Sequence, residues 1–170
     1  YSIVHVGATR AYELTESATN QLTVDQTFVR REVEAGRITP EEALTHPRRN
    51  VLLQCLGSTK EVVPDLIHGN LDRDAIHLLC SDGFRHVLTD TELRRRLGPD
   101  ALDANAWDAE RRRGAYAACT AADLDREERE GFEPGCVTQR IAETAQLVMD
   151  RKEADNVTAL VLRVQPQGGR

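Results

Sequence analysis

Residues Ala75 to Asp90 read AIHLLCSDGFRHVLTD, and this stretch decides the fold. Five apolar residues and one His run from Ala75 to Cys80, which is too short for a helix and dense enough for a strand buried on both faces. The run stops at Ser81-Asp82-Gly83, where we expect a turn in which Gly83 adopts a backbone conformation that a side chain would forbid. The pattern Thr89-Asp90-Thr91-Glu92 then predicts the capped start of a helix. The carboxylate of Asp82 is therefore predicted at the exit of a rigid strand.

A second acidic turn, Asp155-Asn156, precedes the apolar run VTALVLRV at 157–164, which predicts the last strand. Two carboxylates at the ends of two buried strands share a hard divalent cation if the strands are neighbours. The order of residues along the chain does not establish that they are neighbours. The alternative, that Asp82 is only a turn residue, stays open at this point.

Composition bounds the class of protein. The chain has 170 residues, about one domain, with 40% hydrophobic and 29% charged residues. A net charge of -6 argues against nucleic-acid binding, and no apolar run approaches the roughly 20 residues that span a bilayer. The four cysteines form no C-x-x-C pair, so we expect reduced thiols in a cytoplasmic protein.

The rest of the chain alternates between strand and helix patterns. The predicted strands are 1–6, 10–14, 21–23, 50–56 and 62–68, with a polar turn at 16–20. The predicted helices are 25–35, 40–45, 90–97 and 136–152. Short loops between mostly sequential strands favour an antiparallel α+β layered fold.

Two segments stand apart from this pattern. Residues 99–134 have a helical composition with little apolar periodicity, and we interpret them as an inserted or extended helical segment without a chemical role. Residues 165–170 are predicted to form a tail. The chain also begins at Tyr1 inside a predicted strand, so we expect a fragment of a longer protein.

Three pieces of the sequence together carry a resemblance. They are LLCSDGFRHVLTDTEL at 78–93, Asp155-Asn156-Val157-Thr158, and Val6-Gly7-Ala8-Thr9-Arg10. In order and approximate spacing they resemble the C-terminal part of the catalytic domain of the metal-dependent protein phosphatases, the PPM or type 2C serine/threonine family, in its bacterial form. The resemblance covers roughly Ser2 to Val164. It implies an α-β-β-α sandwich of two antiparallel sheets, incomplete at its N-terminus, with the helices at about 25–46 forming a surface flap.

The resemblance also implies a site. Asp82 and Asp155 match the family's metal-binding carboxylates, with Gly83 and Asn156 as their neighbours. The complete domain is expected to hold two Mn²⁺ or Mg²⁺ ions, which activate a water to hydrolyse phosphoserine and phosphothreonine. The implied partner is a phosphorylated protein, the product of a bacterial serine/threonine kinase.

The chain departs from the family at Ala8. The family pattern is Gly-Asp-Ser/Thr-Arg, and an Ala in place of the Asp offers no ligand atom, so an additional, weaker metal site is expected to be weakened or lost. The family's upstream motifs cannot be placed in these residues either, and we expect the 170-residue piece alone to lack useful activity. The alternatives are a catalytically impaired pseudophosphatase that binds phosphoproteins, and a related phosphatase that acts on anti-sigma-factor antagonists.

Overall fold

The computed structural model describes residues 1–58, 61–102, 118–120, 136–151 and 156–163, with 118–120 and 136–139 described by their backbone alone. The strands are β1 (Ser2–His5), β2 (Arg10–Leu14), β3 (Thr19–Gln21), β4 (Asp65–His68), β5 (Ile76–Cys80), β6 (Ala118–Thr120) and β7 (Thr158–Arg163). The helices are α1 (Phe28–Glu34), α2 (Pro40–Thr45), α3 (Asp82–Arg85), α4 (Asp90–Leu97) and α5 (Cys136–Asp150). Two antiparallel sheets with helices agree with the predicted α+β class.

The chain divides into two units. The first comprises Tyr1–Arg10 and Thr23–Asn70 and contains a two-stranded antiparallel sheet, in which β1 pairs with β4 from Ser2 opposite His68 to His5 opposite Asp65. The second comprises Ala11–Leu22 and Leu71–Arg170. Most of β2 belongs to this second unit, whose five-stranded sheet has the order β3-β2-β5-β7-β6.

The core of the second unit lies on one face of β5. Ile76, Leu78 and Cys80 are buried there and share one apolar cluster with residues of α4 and α5. Side chains on a strand alternate between the two faces of the sheet, so the residues between them point the other way. On that other face His77 is buried, with its ring 3.8 Å from Glu13 of β2, whereas Leu79 is 39% exposed. The prediction that the strand is buried on both faces is therefore wrong at Leu79.

In the first unit, one predicted helix and one predicted strand are shorter in the structure, and a second predicted strand is not formed. Helix α1 begins at Phe28 rather than Asp25, because the Thr27 side chain caps it by accepting a hydrogen bond from the Arg30 amide. The predicted strand at 50–56 is wrong: only Leu52 forms a bridge, opposite Thr27. Strand β4 begins after Pro64, which lacks the amide hydrogen that pairing requires. Helix α2 has the predicted capping box.

In the second unit, two corrections concern turns and one concerns a strand. Thr19 and Asn20 belong to β3 and pair with β2, so the predicted turn at 16–20 is too long. Gly83 lies inside the helical turn α3 and not in a conformation reserved for glycine. Residues 118–120 form β6 against β7, where a helical segment was predicted. The other residues of 103–134 and the tail 165–170 lie outside the described residues.

A basic side chain at the end of α5 connects it to α4. Arg151 donates hydrogen bonds to Glu92 Oε1 at 2.5 Å and to the Val87 carbonyl at 2.7 Å. Glu92 also caps α4 by accepting a hydrogen bond from the Thr89 amide at 2.9 Å. The hydrogen bond from Arg151, followed by those from Thr89, lowers the pKa of Glu92 from 4.5 to about 2.

No helix in the described part of the chain is long and apolar enough to cross a membrane.

The lowered pKa of Glu92 predicts an acid-dependent loss of stability. Since the folded-state pKa lies below the ordinary value, the carboxylate stabilises the fold above pH 4.5, and this stabilisation is lost as the pH falls towards 2. Arg151→Met is expected to flatten that part of the pH profile, measured as the urea midpoint at a series of pH values. Arg140→Met, which changes an exposed arginine on the same helix, serves as control. Identical profiles for the two variants would contradict the expectation.

Candidate metal-binding site

Asp82 has a fixed backbone position next to buried residues, although its own side chain is exposed. It is the first residue of α3, directly after β5. Gly83 is buried, and Phe84 is fully buried in the apolar cluster of the second unit, so the short helix is anchored on the core. The carboxylate is thus presented to solvent at the end of a buried strand, as the sequence predicted.

Ser81 cross-links the end of β5 to the beginning of β7. Its amide donates to the Thr158 carbonyl at 3.0 Å, and its Oγ accepts a hydrogen bond from the Thr158 amide at 3.0 Å. The same Oγ donates to the Asn156 carbonyl at 2.8 Å and caps α3 through the Phe84 amide. One side chain therefore ties the Asp82 turn to the Asn156 turn.

The register of the sheet explains this proximity. Strands β5 and β7 are antiparallel neighbours with Cys80 opposite Ala159. The C-terminal end of β5 and the N-terminal end of β7 therefore lie side by side at the same end of the strand pair. Asn156, two residues before β7, is exposed at that end. Asp155 lies outside the described residues, so its part in the site stays a prediction.

The surroundings of Asp82 leave its carboxylate open to a cation. Its Oδ1 accepts a hydrogen bond from the Gly83 amide at 3.0 Å. In the described ranges no Lys, Arg or His forms an ion pair with this carboxylate within 4.0 Å, and no group of three or more His, Cys, Asp and Glu residues is gathered. Carboxylate oxygens are hard donors of the kind that Mg²⁺ and Mn²⁺ prefer.

The turn that contains Ala8 lies in the first unit. Gly7 has φ +99, a left-handed conformation that favours glycine, and Ala8 is half-buried. After the turn, Arg10 donates from its Nε to Asp25 Oδ1 at 2.8 Å and from its second terminal nitrogen to Asp25 Oδ2 at 2.5 Å. The turn is therefore well fixed, although the Ala8 methyl group offers no ligand atom.

Sequence reasoning missed the contribution of Ser81. The sequence analysis assigns Ser81 only to a turn, and its contacts to Asn156 and Thr158 span 75 and 77 residues of sequence. A Ser directly before Asp-Gly-Phe is typical of a helix N-cap, and that local signal was available. Among the histidines, His5 and His77 are buried and His86 is exposed.

Curated relatives of the chain are bacterial phosphatases. The serine/threonine protein phosphatase PstP of Mycobacterium tuberculosis is 39% identical over 95 residues, which is 56% of this chain and 18% of the relative. The serine/threonine phosphatase stp of Listeria monocytogenes is 36% identical over 95 residues, or 56% of this chain and 38% of the relative. The chain thus spans well under half the length of these curated relatives. No protein-family model matches the chain.

Solved structures agree in fold over nearly the whole chain. The crystal structure of PstP from Mycobacterium tuberculosis matches with a TM-score of 0.66 and 28% identity, covering 94% of this chain and 53% of that one. A second structure, the catalytic domain of PstP in complex with two manganese ions, matches with a TM-score of 0.62 and 26% identity, covering 94% of this chain and 51% of that one. The predicted resemblance to PPM serine/threonine phosphatases is confirmed.

The Ser81 cross-link predicts that Ser81→Ala lowers Mn²⁺ affinity as well as stability, whereas loss of another helix cap lowers stability alone. Ser81→Ala and Thr89→Ala each remove an N-cap and are expected to lower the free energy of unfolding by about 1 kcal/mol. Ser81→Ala additionally frees the Asn156 turn, so it is expected to weaken Mn²⁺ binding to the full-length protein at least about tenfold. Thr89→Ala is expected to leave Mn²⁺ affinity unchanged in isothermal titration. Equal affinities for the two variants would rule out a metal-site role for Ser81.

Proposed function

We propose that this chain forms part of a metal-dependent serine/threonine phosphatase that hydrolyses phosphoserine and phosphothreonine in proteins. One observation carries the proposal: Ser81, directly before the exposed Asp82, caps the helix that begins at Asp82 and donates a hydrogen bond to the Asn156 carbonyl. Relatives named as serine/threonine phosphatases support the same reaction. Because the chain spans only part of their length, the activity of the whole protein is a proposal.

The exposed Asp82 carboxylate supports the proposal of a divalent cation at this end of β5. Asp82 would hold it together with Asp155, while the Gly83 amide, through its hydrogen bond to Oδ1, fixes the orientation of the Asp82 carboxylate. In the described part of the chain, Asp82 Oδ2 accepts no hydrogen bond, which leaves this oxygen for a ligand. Bound Mn²⁺ or Mg²⁺ would supply a more acidic water and neutralise charge on the phosphate. The PstP structure with two manganese ions supports such a cofactor.

The substrate that we propose is a phosphorylated protein, made by a bacterial serine/threonine kinase. Its dephosphorylation releases the hydroxyl side chain and inorganic phosphate, with the proton and oxygen taken from water. Free thiols at Cys55 and Cys80 support a reducing, cytoplasmic setting for this reaction.

Ala8 favours a second candidate, a phosphatase fold that binds phosphoproteins without efficient turnover. The position lacks the carboxylate of the family pattern, and its methyl group cannot order water around a cation. The two candidates share the Asp82 site and differ in what a carboxylate at position 8 would add.

Substitution of Asp82 tests the proposed metal site directly. Asp82→Asn in the full-length protein is expected to reduce Mn²⁺ affinity at least about tenfold and to abolish hydrolysis of a phosphothreonine peptide. Asp74→Asn removes the same charge from an exposed position before the opposite end of β5 and serves as control. Affinity would be measured by isothermal titration and turnover by phosphate release. An Asp82→Asn protein that binds Mn²⁺ as tightly as the control would remove Asp82 from the site.

Substitution of Ala8 distinguishes the enzyme from the binding module. Ala8→Asp in the full-length protein is expected to raise phosphate release at limiting Mn²⁺, because a restored carboxylate orders water around a weakly held ion. Ala8→Asn, which has the same size and no charge, serves as control. No gain over Ala8→Asn would favour the binding module.

A further inference from the structure

Arg48, in the segment that follows α2, lies over the aromatic ring of Phe28. Its guanidinium carbon is 3.7 Å from the centroid of that ring. Arg48 is exposed, whereas Phe28, the first residue of α1, is half-buried. A guanidinium group over an aromatic face is attracted to the ring and keeps the N–H groups at its edge available as donors. The ring therefore restricts the Arg48 side chain without occupying its hydrogen-bond donors.

Backbone contacts fix the positions of these two residues relative to one another. The Phe28 amide donates to the Val51 carbonyl at 2.8 Å, and the Val51 amide donates to the Arg48 carbonyl at 3.1 Å. The Arg48 amide donates to Nδ1 of His46 at 3.0 Å, and the His46 ring centroid lies 5.7 Å from that of Phe28. Groups that are already ordered lose less conformational entropy when a ligand binds, so this arrangement favours binding by Arg48.

The arginines near Phe28 outnumber the carboxylate with which they interact. Glu32 of α1 accepts hydrogen bonds from Arg37 at 2.6 and 2.7 Å and lies 3.8 Å from Nε of Arg31. The hydrogen bonds from Arg37 and the surrounding arginine charges lower the pKa of Glu32 from its ordinary value. Arg48 contributes one of these charges, and its side chain forms no ion pair within the described part of the chain. These four residues, which we name the arginine cluster, carry a surplus of two positive charges.

The chemistry of the arginine cluster fits a phosphate monoester. At neutral pH a phosphorylated serine or threonine carries a charge of about −1.5 to −2 and has three strong acceptor oxygens. Two of these oxygens accept parallel hydrogen bonds from the planar fork of a guanidinium group. A single carboxylate has the same fork geometry but only one charge. The net charge of -6 argues against a nucleic acid as the source of the phosphate.

We propose that the arginine cluster, with Phe28 as the support of Arg48, is a binding site for a phosphorylated segment of a protein partner. This inference rests on the proposed function, which supplies phosphorylated proteins as ligands. It does not depend on where the cluster lies relative to Asp82, because recognition of a phosphate by Arg48 requires no metal ion. The alternative is that Arg48 only covers an apolar ring, and its replacement would then leave phosphate binding unchanged.

Titration of the full-length protein with a phosphothreonine peptide in EDTA tests the site in the absence of metal-dependent turnover. Arg48→Met is expected to weaken binding about tenfold, because it removes a charge-assisted contact while an unbranched side chain still covers Phe28. Arg48→Lys keeps the charge without the planar fork and is also expected to weaken binding. The control is Arg30→Met, which changes an exposed arginine of α1 that is already paired with Glu34 at 2.8 Å, and it is expected to leave the affinity unchanged.

Equal affinities of Arg48→Met and Arg30→Met for the peptide would overturn the inference. A peptide with glutamate in place of phosphothreonine is expected to bind the wild type more weakly, and equal binding would replace the phosphate by a carboxylate as the ligand. Inorganic phosphate is expected to compete poorly with the peptide. Binding of inorganic phosphate as tight as that of the peptide would overturn the assignment to a protein partner.

Failure of the proposed function gives a different result. If Asp82→Asn released phosphate with Mn²⁺ at the wild-type rate, the metal-dependent mechanism would be wrong, while an Arg48-dependent affinity measured in EDTA would stand. If turnover depended on Asp82 and peptide affinity did not depend on Arg48, only the inference about the arginine cluster would be wrong.

Discussion

The antiparallel pairing of β5 with β7 is the constraint on which the candidate site depends. It places the exit of one buried strand and the entrance of another at the same edge of the sheet, with Cys80 opposite Ala159. Ser81 then continues the contact beyond the last pair of the strands through its bond to the Asn156 carbonyl. Asp82 acquires its position from this pairing and from the buried Phe84 that follows it, rather than from contacts of its own carboxylate.

The first unit fixes its own turn by a different physical device. Gly7 adopts a left-handed conformation, and the polar groups of the turn are satisfied by Gln26 and His5. The amide and the carbonyl of the buried Gly7 both bond to Gln26, so these two bonds favour one conformation of the turn. Ala8 itself offers no ligand atom, and the turn around it is held by residues other than Ala8.

Local signals in the sequence predicted the elements on which the site is built. The apolar runs of β5 and β7 and the capping boxes of α2 and α4 are patterns that neighbouring residues specify. The predicted strand at 50–56 is not formed, because only Leu52 pairs with another segment of the chain. Leu52 and Leu53 remain about two-fifths exposed. Gly83 was misassigned because a Ser-Asp-Gly turn and an N-capped helical turn begin with the same residues. The contacts of Ser81 and Gln26 span long stretches of sequence and become visible only when the strands are paired.

The central claim is that carboxylates from two distant turns, Asp82 and Asp155, hold one cation cluster. A crystal of the full-length protein grown with Mn²⁺, with anomalous diffraction recorded at the manganese edge, tests it most directly. The account predicts an anomalous peak within about 2.3 Å of a carboxylate oxygen of each residue, or two neighbouring peaks bridged between them. A manganese peak that contacts neither carboxylate, or the two carboxyl groups pointing into separate solvent regions, would contradict it.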